Sequence, residues 1–198
     1  MDTKTQNYWT KRYSDKQTGW DIGYPSTPIK TYIDQLENKA LKILIPGAGN
    51  AYEAEYLHAQ GFRNVYILDI SMAPLNAFMG RNPSFSKSNI INNDFFTHQG
   101  TYDLILEQTF FCSFIPTKTN RSNYAKKVHE LLKNDGKLVG LWFNFPLSSN
   151  FDKRPFGGNK EEYERYFRPY FKIQVLEDCY NSIPERQGKE LFGIFEKR

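Results

Sequence analysis

The sequence predicts an α/β fold built on a doubly wound, mostly parallel sheet of about seven strands that ends in a C-terminal antiparallel hairpin. Two observations predict it. Apolar runs of strand length alternate with helical patterns through the middle of the chain, the order that produces parallel strands with right-handed crossovers. Near the C-terminus, the strand-like runs 171–177 and 190–196 are joined by a polar, proline-containing stretch without a helix, which is typical of a hairpin.

The predicted elements follow one another in a regular order. Before the first strand we expect a short helix near 6–14 and an amphipathic helix at 28–38, whose apolar residues recur at i, i+3, i+4 and i+7. The predicted strands of the parallel part are 41–46, 64–70, 88–92, 102–107 and 137–143. The predicted helices between them are 51–60, about 72–80, and 122–133, with Gly61 ending the first and Asn134-Asp135-Gly136 the last.

The N-terminal part is predicted to act as a lid within a single domain of residues 1–198. Residues 1–39 form this helical lid, and residues 40–198 form the α/β core. Trp9, Tyr13 and Trp20 lie in a polar segment that offers few apolar neighbours. Such a segment can order over a bound ligand and exclude water from it.

Composition excludes several classes of protein. The 26 Lys and Arg residues exceed the 22 Asp and Glu residues by only four, and they are scattered, whereas nucleic acid and anionic membranes prefer clustered charge. The N-terminus has no apolar stretch typical of a signal peptide, and no apolar run approaches the ~20 residues of a membrane span. Cys112 and Cys179 form no CxxC pair, so no metal site follows. We expect a cytoplasmic monomer that acts on a small molecule.

The segment after the first predicted strand has the features of a cofactor loop. Gly47 and Gly49 let the backbone turn sharply and approach a ligand without a Cβ atom in the way. Asp69 ends the next strand, where a carboxylate can accept hydrogen bonds from both hydroxyls of a ribose. Ligands of open α/β sheets bind at these carboxyl ends of the strands. A purely structural glycine turn with a solvated aspartate is the alternative.

The residues that follow the glycines favour S-adenosylmethionine over a dinucleotide. A dinucleotide loop needs a third glycine where Tyr52 stands, and Glu53 adds negative charge where a pyrophosphate would lie. S-adenosylmethionine carries no phosphate, and its ammonium group tolerates nearby acidic residues. The cofactor predicted from these residues is therefore S-adenosylmethionine, with S-adenosylhomocysteine as its product.

Further candidate residues stand at other strand ends. Asp94 could receive the amino group of adenine while Phe95 packs against the ring, although Asp94 taken alone is an ordinary loop acid. The full set of predicted cofactor-binding residues is Trp9, Tyr13, Trp20, Gly47, Gly49, Asp69, Ile70, Asp94, Phe95 and Glu107. The predicted substrate-binding residues are Gln108, Phe111, Trp142 and Arg154. For the aromatic members a place in the core is the competing interpretation, and for Arg154 a place on the surface.

The predicted chemistry needs no catalytic residue. A thiolate or a halide displaces a methyl group from a sulfonium in line, without a general base, so the protein contributes positioning and exclusion of water. His58, His98 and His129 lie in contexts typical of solvated or core residues. Aromatic faces suit a sulfonium cation through cation–π attraction.

Six motifs in order along the chain carry a resemblance to a known family. They are the N-terminal tryptophan segment 9–28, Leu44-Ile45-Pro46-Gly47-Ala48-Gly49, Asp69-Ile70-Ser71, Asp94-Phe95-Phe96, Tyr102-Asp103-Leu104-Ile105 with Phe111-Cys112, and the C-terminal pair Tyr180-Asn181-Ser182-Ile183 and Arg186-Gln187-Gly188-Lys189-Glu190. In these the chain resembles the thiopurine S-methyltransferase superfamily, and within it the halide/thiol methyltransferases. The resemblance implies a class I, Rossmann-like methyltransferase that uses S-adenosylmethionine.

Two departures from the halide/thiol pattern fall in the substrate half of the chain. Glu107-Gln108 stands where these enzymes tend to have Asp-Tyr, and Lys153-Arg154-Pro155-Phe156-Gly157-Gly158 replaces a Gly-Pro-Pro-aromatic loop. The predicted function is methyl transfer to a small soft nucleophile: a thiol, bisulfide, a halide or a thiopurine. An O- or N-methyltransferase on the same fold and a non-catalytic cofactor-binding member are the alternatives.

Overall fold

The structure is a computed structural model that describes residues 3–148, 150 and 154–198. The chain divides into two compact units, a first unit that ends at Gln99 and a second that begins at Gly100. The assignment of 1–198 to one domain, with 1–39 as its lid and 40–198 as its core, stays a prediction. No helix in the described ranges is long and apolar enough to cross a membrane.

The first unit contains three parallel strands and four helices. Its elements are α1 (Thr3–Ser14), α2 (Thr27–Asp34), β1 (Ile43–Pro46), α3 (Tyr52–Ala59), β2 (Val65–Asp69), α4 (Met72–Arg81) and β3 (Ile90–Asn92), with a 3₁₀ turn at Lys87–Asn89. The strands stand in the order β3-β2-β1. All four residues of β1 are buried, which explains why this strand is an uninterrupted apolar run in the sequence.

The second unit contains the remaining four strands. Its elements are β4 (Tyr102–Gln108), α5 (Lys118–Leu131), β5 (Leu132–Phe143), α6 (Lys160–Phe167), β6 (Phe171–Asp178) and β7 (Glu190–Lys197), with 3₁₀ turns at Phe111–Ser113 and Pro184–Arg186. The strand order is β4-β5-β7-β6, with β4 and β5 parallel and the other two pairs antiparallel. The predicted antiparallel C-terminal hairpin is therefore confirmed, as is the number of seven strands.

Two of the differences between the predicted elements and the structure concern the ends of helices. Helix α2 ends at Asp34 rather than at residue 38. The Asn134-Asp135-Gly136 segment does not form a turn after α5, because β5 begins at once and Leu132 pairs with Tyr102. Asp135 has φ +60, and the pairing of β4 with β5 shifts in register around it, so these residues form an irregularity within a strand.

Helix α6 was not predicted, because its sequence is short and mostly charged. Asn159 caps it by accepting a hydrogen bond from the backbone N–H of Glu162 (2.8 Å). Tyr163 and Phe167, one turn apart, are its buried residues.

Many aromatic residues of the second unit form one core cluster. Phe167 lies at its centre, and the neighbouring rings within 6.4 Å of its centroid are those of Phe111, Tyr124, Trp142, Phe171 and Phe195. Such edge-on and tilted arrangements are favourable for aromatic pairs. Part of the large aromatic content of the chain is thus accounted for by packing.

Candidate cofactor site and the family of the chain

The turn after β1 is a left-handed backbone tied to the end of β2. Gly47 and Gly49 have φ values of +58 and +53, and Ala51, which precedes α3, has φ +57. The backbone N–H of Gly49 donates to Oδ2 of Asp69 (2.9 Å), while the N–H of Ser71 donates to Oδ1 (2.8 Å). Asp69 therefore holds the glycine turn against the carboxyl end of β2, which is where such a site was predicted.

The Asp69 carboxylate is buried and still has acceptor capacity. Asp69 is only 6% exposed, and this burial raises the pKa of its carboxyl to about 6. Hydrogen bonds from the backbone N–H groups of Ser71, Gly49 and Ile70 oppose that rise. A carboxylate accepts about four hydrogen bonds, so these three backbone N–H groups leave acceptor capacity for a ligand hydroxyl. An acceptor of this kind fits the hydroxyls of a ribose, which donate, better than it fits a phosphate, which is itself an anionic acceptor.

Tyr13 lies directly over the glycine turn. A Cβ atom added at Gly49 would come within 2.8 Å of the Tyr13 hydroxyl oxygen, so glycine is what admits this contact. The Trp20 ring packs edge-on against Tyr13 (5.8 Å between centroids) and against Trp9 (5.4 Å). Burial, with the nearby negative charge of Asp69, raises the pKa of Tyr13 far above its usual range, so the hydroxyl stays protonated.

Three contacts fasten the N-terminal segment to the same part of the first unit. The hydroxyls of Thr10 and Ser71 are 3.0 Å apart, the side-chain amide of Asn50 donates to Asp21, and the N–H of Ser26 donates to Oε1 of Glu53 (3.1 Å). These anchoring roles could not be read from the sequence, since a contact between residues far apart in the chain leaves no local pattern. The left-handed conformation of Ala51 was also missed, because a residue with a Cβ atom rarely adopts a positive φ.

The loop after β3 also approaches Asp69. The N–H of Asn93 donates to the backbone carbonyl of Asp69 (3.2 Å). Asp94 follows, and its Oδ1 accepts the N–H of Phe96 (2.8 Å), so one of its oxygens serves the loop itself. Phe95 is 3% exposed and packs edge-on against Phe96. The structure thus brings Asp94 and Phe95 to the Asp69 end of the sheet.

The second unit places the other predicted residues differently. Glu107 is fully buried, and its oxygens accept the N–H groups of Phe110 (2.9 Å) and Phe111 (3.0 Å) and the hydroxyl of Tyr124. Through these donors Glu107 anchors its own loop, and its contact with the cofactor stays a prediction. Tyr124, which makes this anchor possible, was not predicted.

Two of the predicted substrate contacts, Phe111 and Trp142, lie in the core, and their contact with a substrate stays a prediction. Phe111 is 3% exposed and Trp142 only 1%, and both rings pack against Phe167 in the aromatic cluster. Gln108 and Arg154 are partly buried. The Arg154 Nε donates to the carbonyl of Ser113 (2.8 Å), and its guanidinium lies over the Phe156 ring. Lys153, next to Arg154 in the loop singled out from the sequence, lies outside the described residues.

Residues 3–148, 150 and 154–198 contain no group of three or more His, Cys, Asp or Glu side chains arranged to hold a metal ion.

Solved structures share this fold over nearly the whole chain. The Burkholderia thailandensis 1,6-didemethyltoxoflavin-N1-methyltransferase, crystallised with S-adenosylhomocysteine, aligns with a TM-score of 0.80 at 17% identity, over 98% of this chain and 87% of that one. The magnesium protoporphyrin IX methyltransferase of Synechocystis, with bound S-adenosylmethionine, aligns with a TM-score of 0.74 at 14% identity, over 99% and 96%. The fold is that of a class I, Rossmann-like methyltransferase dependent on S-adenosylmethionine.

Sequence comparison then gives the family. The family model described as thiopurine S-methyltransferase (TPMT) matches residues 4–197, and the chain belongs to this family of S-adenosylmethionine-dependent methyltransferases. Thiocyanate methyltransferase 1 of Arabidopsis thaliana is 30% identical over 98% of this chain and 86% of its own length. A probable thiol methyltransferase 2 of the same plant is 28% identical over 100% and 88%. The predicted family, enzyme class and cofactor are confirmed.

Proposed function

We propose that this methyltransferase acts on a small, soft anion, a thiolate, bisulfide, thiocyanate or a halide, by in-line displacement at the methyl carbon. Bound S-adenosylmethionine supplies a methyl group on a sulfonium, a good leaving group. An anionic nucleophile forms the new bond as the carbon–sulfur bond breaks, and no proton has to move. The protein then needs to hold and desolvate its reactants rather than to supply a base.

Residues of the first unit are proposed to hold the cofactor. Asp69 receives the ribose hydroxyls, and the left-handed glycine turn at Gly47 and Gly49 is proposed to lie against the ligand. The N-terminal aromatic residues Trp9, Tyr13 and Trp20 offer ring faces to a cation. Ile70, Asp94 and Phe95 are proposed to border the adenosine part, as predicted from their places after β2 and β3.

The proposal for the acceptor rests on two buried glutamates at strand ends, Glu107 and Glu190, whose carboxylates are hydrogen-bonded within the protein. Glu107, at the end of β4, is completely buried and accepts three hydrogen bonds from the protein. Glu190, which pairs with Phe143 at the end of β5, accepts the Ser182 hydroxyl (2.8 Å) and lies 3.5 Å from Arg186. Glu107 is 0% exposed and Glu190 is 3% exposed, so neither side chain reaches an acceptor to take its proton. An acceptor that is already an anion is therefore favoured.

The one histidine of the second unit lies at the opposite end of the strands. His129 packs against Tyr170 and Phe171, and Phe171 pairs with Lys197, the last residue of β7. The ends of β4 and β5 at Gln108 and Phe143 are remote from it along the strands. His129 is therefore not proposed as a base, and Gln108 and Arg154 are proposed as the acceptor-side residues, with Arg154 as the cation.

The names of the relatives support the same class of acceptor. Two of them are called thiocyanate methyltransferases and one a probable thiol methyltransferase. A thiopurine remains the closest rival, because Gln108 stands where a halide/thiol enzyme tends to have Tyr.

The deciding experiment compares kcat/KM for thiocyanate, bisulfide, iodide, an aryl thiol and a thiopurine under one condition. Turnover of the thiopurine alone would refute the proposal, and turnover of none would move the search to oxygen or nitrogen acceptors.

We also propose a cytoplasmic monomer that binds no nucleic acid. The dispersed charge supports this proposal, as do two free cysteines that are both buried and thus suit a reducing compartment. Light scattering of the purified protein should give the mass of one chain. A mass of two chains would contradict it.

The affinity for S-adenosylhomocysteine is expected to depend on pH through Asp69. Burial raises the pKa of this carboxyl to about 6, so it is protonated below that pH and loses one acceptor oxygen. Binding of a ribose favours the charged form, and the dissociation constant should therefore be about tenfold higher at pH 5 than at pH 7. Calorimetry between pH 5 and 8 measures it. The Asp69→Asn variant should give a flat profile, and the same slope in that variant would assign it to another group.

The N-terminal segment is expected to be protected when the cofactor binds. Lys11, Arg12 and Lys16 offer tryptic sites in the segment that carries Trp9, Tyr13 and Trp20. A ligand between these rings and the glycine turn should order the segment and slow cleavage there. Cleavage after Lys87, an exposed residue of the same unit, is the internal control. Equal rates with and without S-adenosylhomocysteine would argue against a lid.

A further inference from the structure

The buried Glu107 side chain joins three parts of the second unit. One oxygen accepts two consecutive backbone N–H groups, those of Phe110 and Phe111, and the other accepts the Tyr124 hydroxyl from α5. Both Glu107 and Tyr124 are completely buried. The carboxylate thus connects the end of β4, the loop that follows it, and helix α5.

The loop held in this way has a backbone that its own sequence does not favour. Thr109 has φ +55, and a β-branched residue rarely adopts this left-handed conformation. Such a conformation persists only where the surroundings enforce it. Phe110 and Phe111 follow Thr109 directly, and their backbone N–H groups donate to Glu107. These two hydrogen bonds enforce the left-handed conformation of Thr109.

Neighbouring groups hold both Glu107 and the Phe111 residue whose N–H it accepts. Gly140 of β5 faces Glu107, and a Cβ atom at that position would lie 2.6 Å from the Glu107 Cβ. The Phe111 ring packs edge-on against Tyr124 (4.9 Å between centroids), and the Arg121 guanidinium lies over it at 5.1 Å. Phe111 is therefore held through its backbone by Glu107 and through its ring by Tyr124.

We propose that Glu107 and Tyr124 form a positioning pair for the acceptor: they set the place of Gln108 through the backbone of residues 108–111 and do not touch the acceptor themselves. This inference rests on the proposed function, which assigns Gln108 to the acceptor. A misplacement of about 1 Å can cost up to a hundredfold in rate, so loosening the pair should lower kcat/KM. The cofactor residues lie elsewhere in the chain, so the affinity for S-adenosylhomocysteine should stay the same.

The pair should also give the reaction a pH dependence. Burial raises the pKa of Glu107 to about 7, and a proton on this carboxyl replaces an acceptor by a donor. The titratable groups that face it are Tyr124 of α5, Cys112 of the 3₁₀ turn and Tyr163 of α6, and burial raises the pKa of each, so all stay neutral. Nearby charged groups are paired: Arg121 with Glu162, and Arg186 with Glu190.

The experiment measures kcat and KM from pH 5.5 to 8.5 with the best acceptor among thiocyanate and iodide, which stay anions throughout. In the natural protein, KM should rise as the pH falls below about 7. Tyr124→Phe should lower kcat/KM about tenfold or more with the affinity for S-adenosylhomocysteine within twofold, and Glu107→Gln should remove the pH transition. Tyr102→Phe, a buried tyrosine at the start of β4, is the matched control and should behave like the natural protein.

A second measurement separates this inference from the proposed function. If the natural protein turns over no acceptor, the proposed function fails, and hydrogen exchange at the Phe110 and Phe111 amides still tests the pair. Exchange there should be faster in Tyr124→Phe and unchanged in Tyr102→Phe. Unchanged protection in Tyr124→Phe, unchanged kcat/KM in that variant, or a pH transition that survives in Glu107→Gln would each overturn the inference. Tyr124→Phe alone carries the test if Glu107→Gln does not fold.

Discussion

Replacing Asp69 by alanine is expected to weaken binding of S-adenosylhomocysteine by about 1.5–3 kcal/mol, the scale of hydrogen bonds to a charged group. This corresponds to a dissociation constant roughly 10- to 150-fold higher. Two effects act in the same direction. The ribose loses its acceptor, and the N–H groups of Gly49 and Ser71 lose the carboxylate that now holds them.

Calorimetry at pH 7.5 tests this expectation, with circular dichroism to show that the variant is folded. Asp34→Ala is the matched control: Asp34 lies in the same unit but at its surface, where it pairs with Lys30, and its removal should leave the affinity unchanged. Asp69→Asn keeps one oxygen and should lose less than Asp69→Ala. An unchanged affinity in folded Asp69→Ala would remove this residue from the cofactor site.

Replacing Gly140 by alanine is expected to lower the free energy of unfolding by about 3 kcal/mol or more, at the upper end of what added volume costs in a packed core. Gly140 of β5 pairs with Glu107 of β4 in the sheet of the second unit. A Cβ atom there would lie 2.4 Å from the carbonyl oxygen of Glu107. Backbone is hard to displace, so β4 and β5 would have to separate.

Urea unfolding measures this loss, and Gly80→Ala provides the control. Gly80 lies in α4, is exposed, and has no atom within 4 Å of an added Cβ. Alanine is the better helix former, so Gly80→Ala should stabilise the protein by about 0.5–1 kcal/mol. Equal stability of Gly140→Ala and the natural protein would show that the two strands yield to the added methyl group.

The parts of the fold that could be predicted are those with a local cause. Buried parallel strands such as β1 and β2 are continuous apolar runs, and Gly61, at φ +91, marks a helix end with a conformation that glycine allows. The junction of α5 with β5 could not be predicted. There, pairing of Leu132 with Tyr102 overrides the turn preference of Asn134-Asp135-Gly136, and this pairing exists only once the sheet has formed.

The residues of the candidate site also divide into those with a local sequence signal and those whose role depends on distant contacts. Gly49 and Asp69 could be predicted because two glycines at one strand end and an acid at the next have few structural uses. Glu107 could not be assigned, since its partner Tyr124 comes 17 residues later and meets it only when α5 packs. Phe111 and Trp142 show why aromatic residues are hard to assign from sequence: a ring in the core and a ring that lines a site have the same local sequence.

The position of β7 has a consequence for the synthesis of this chain. Strand β7 follows β6 in the sequence, yet in the second unit it lies between β5 and β6. When the ribosome has completed β6, the edge of β5 that β7 will cover still has unpaired backbone groups, which are prone to aggregation. The sheet of this unit therefore closes only after translation has passed Lys197, and chaperones that shield nascent strands would matter most during that interval.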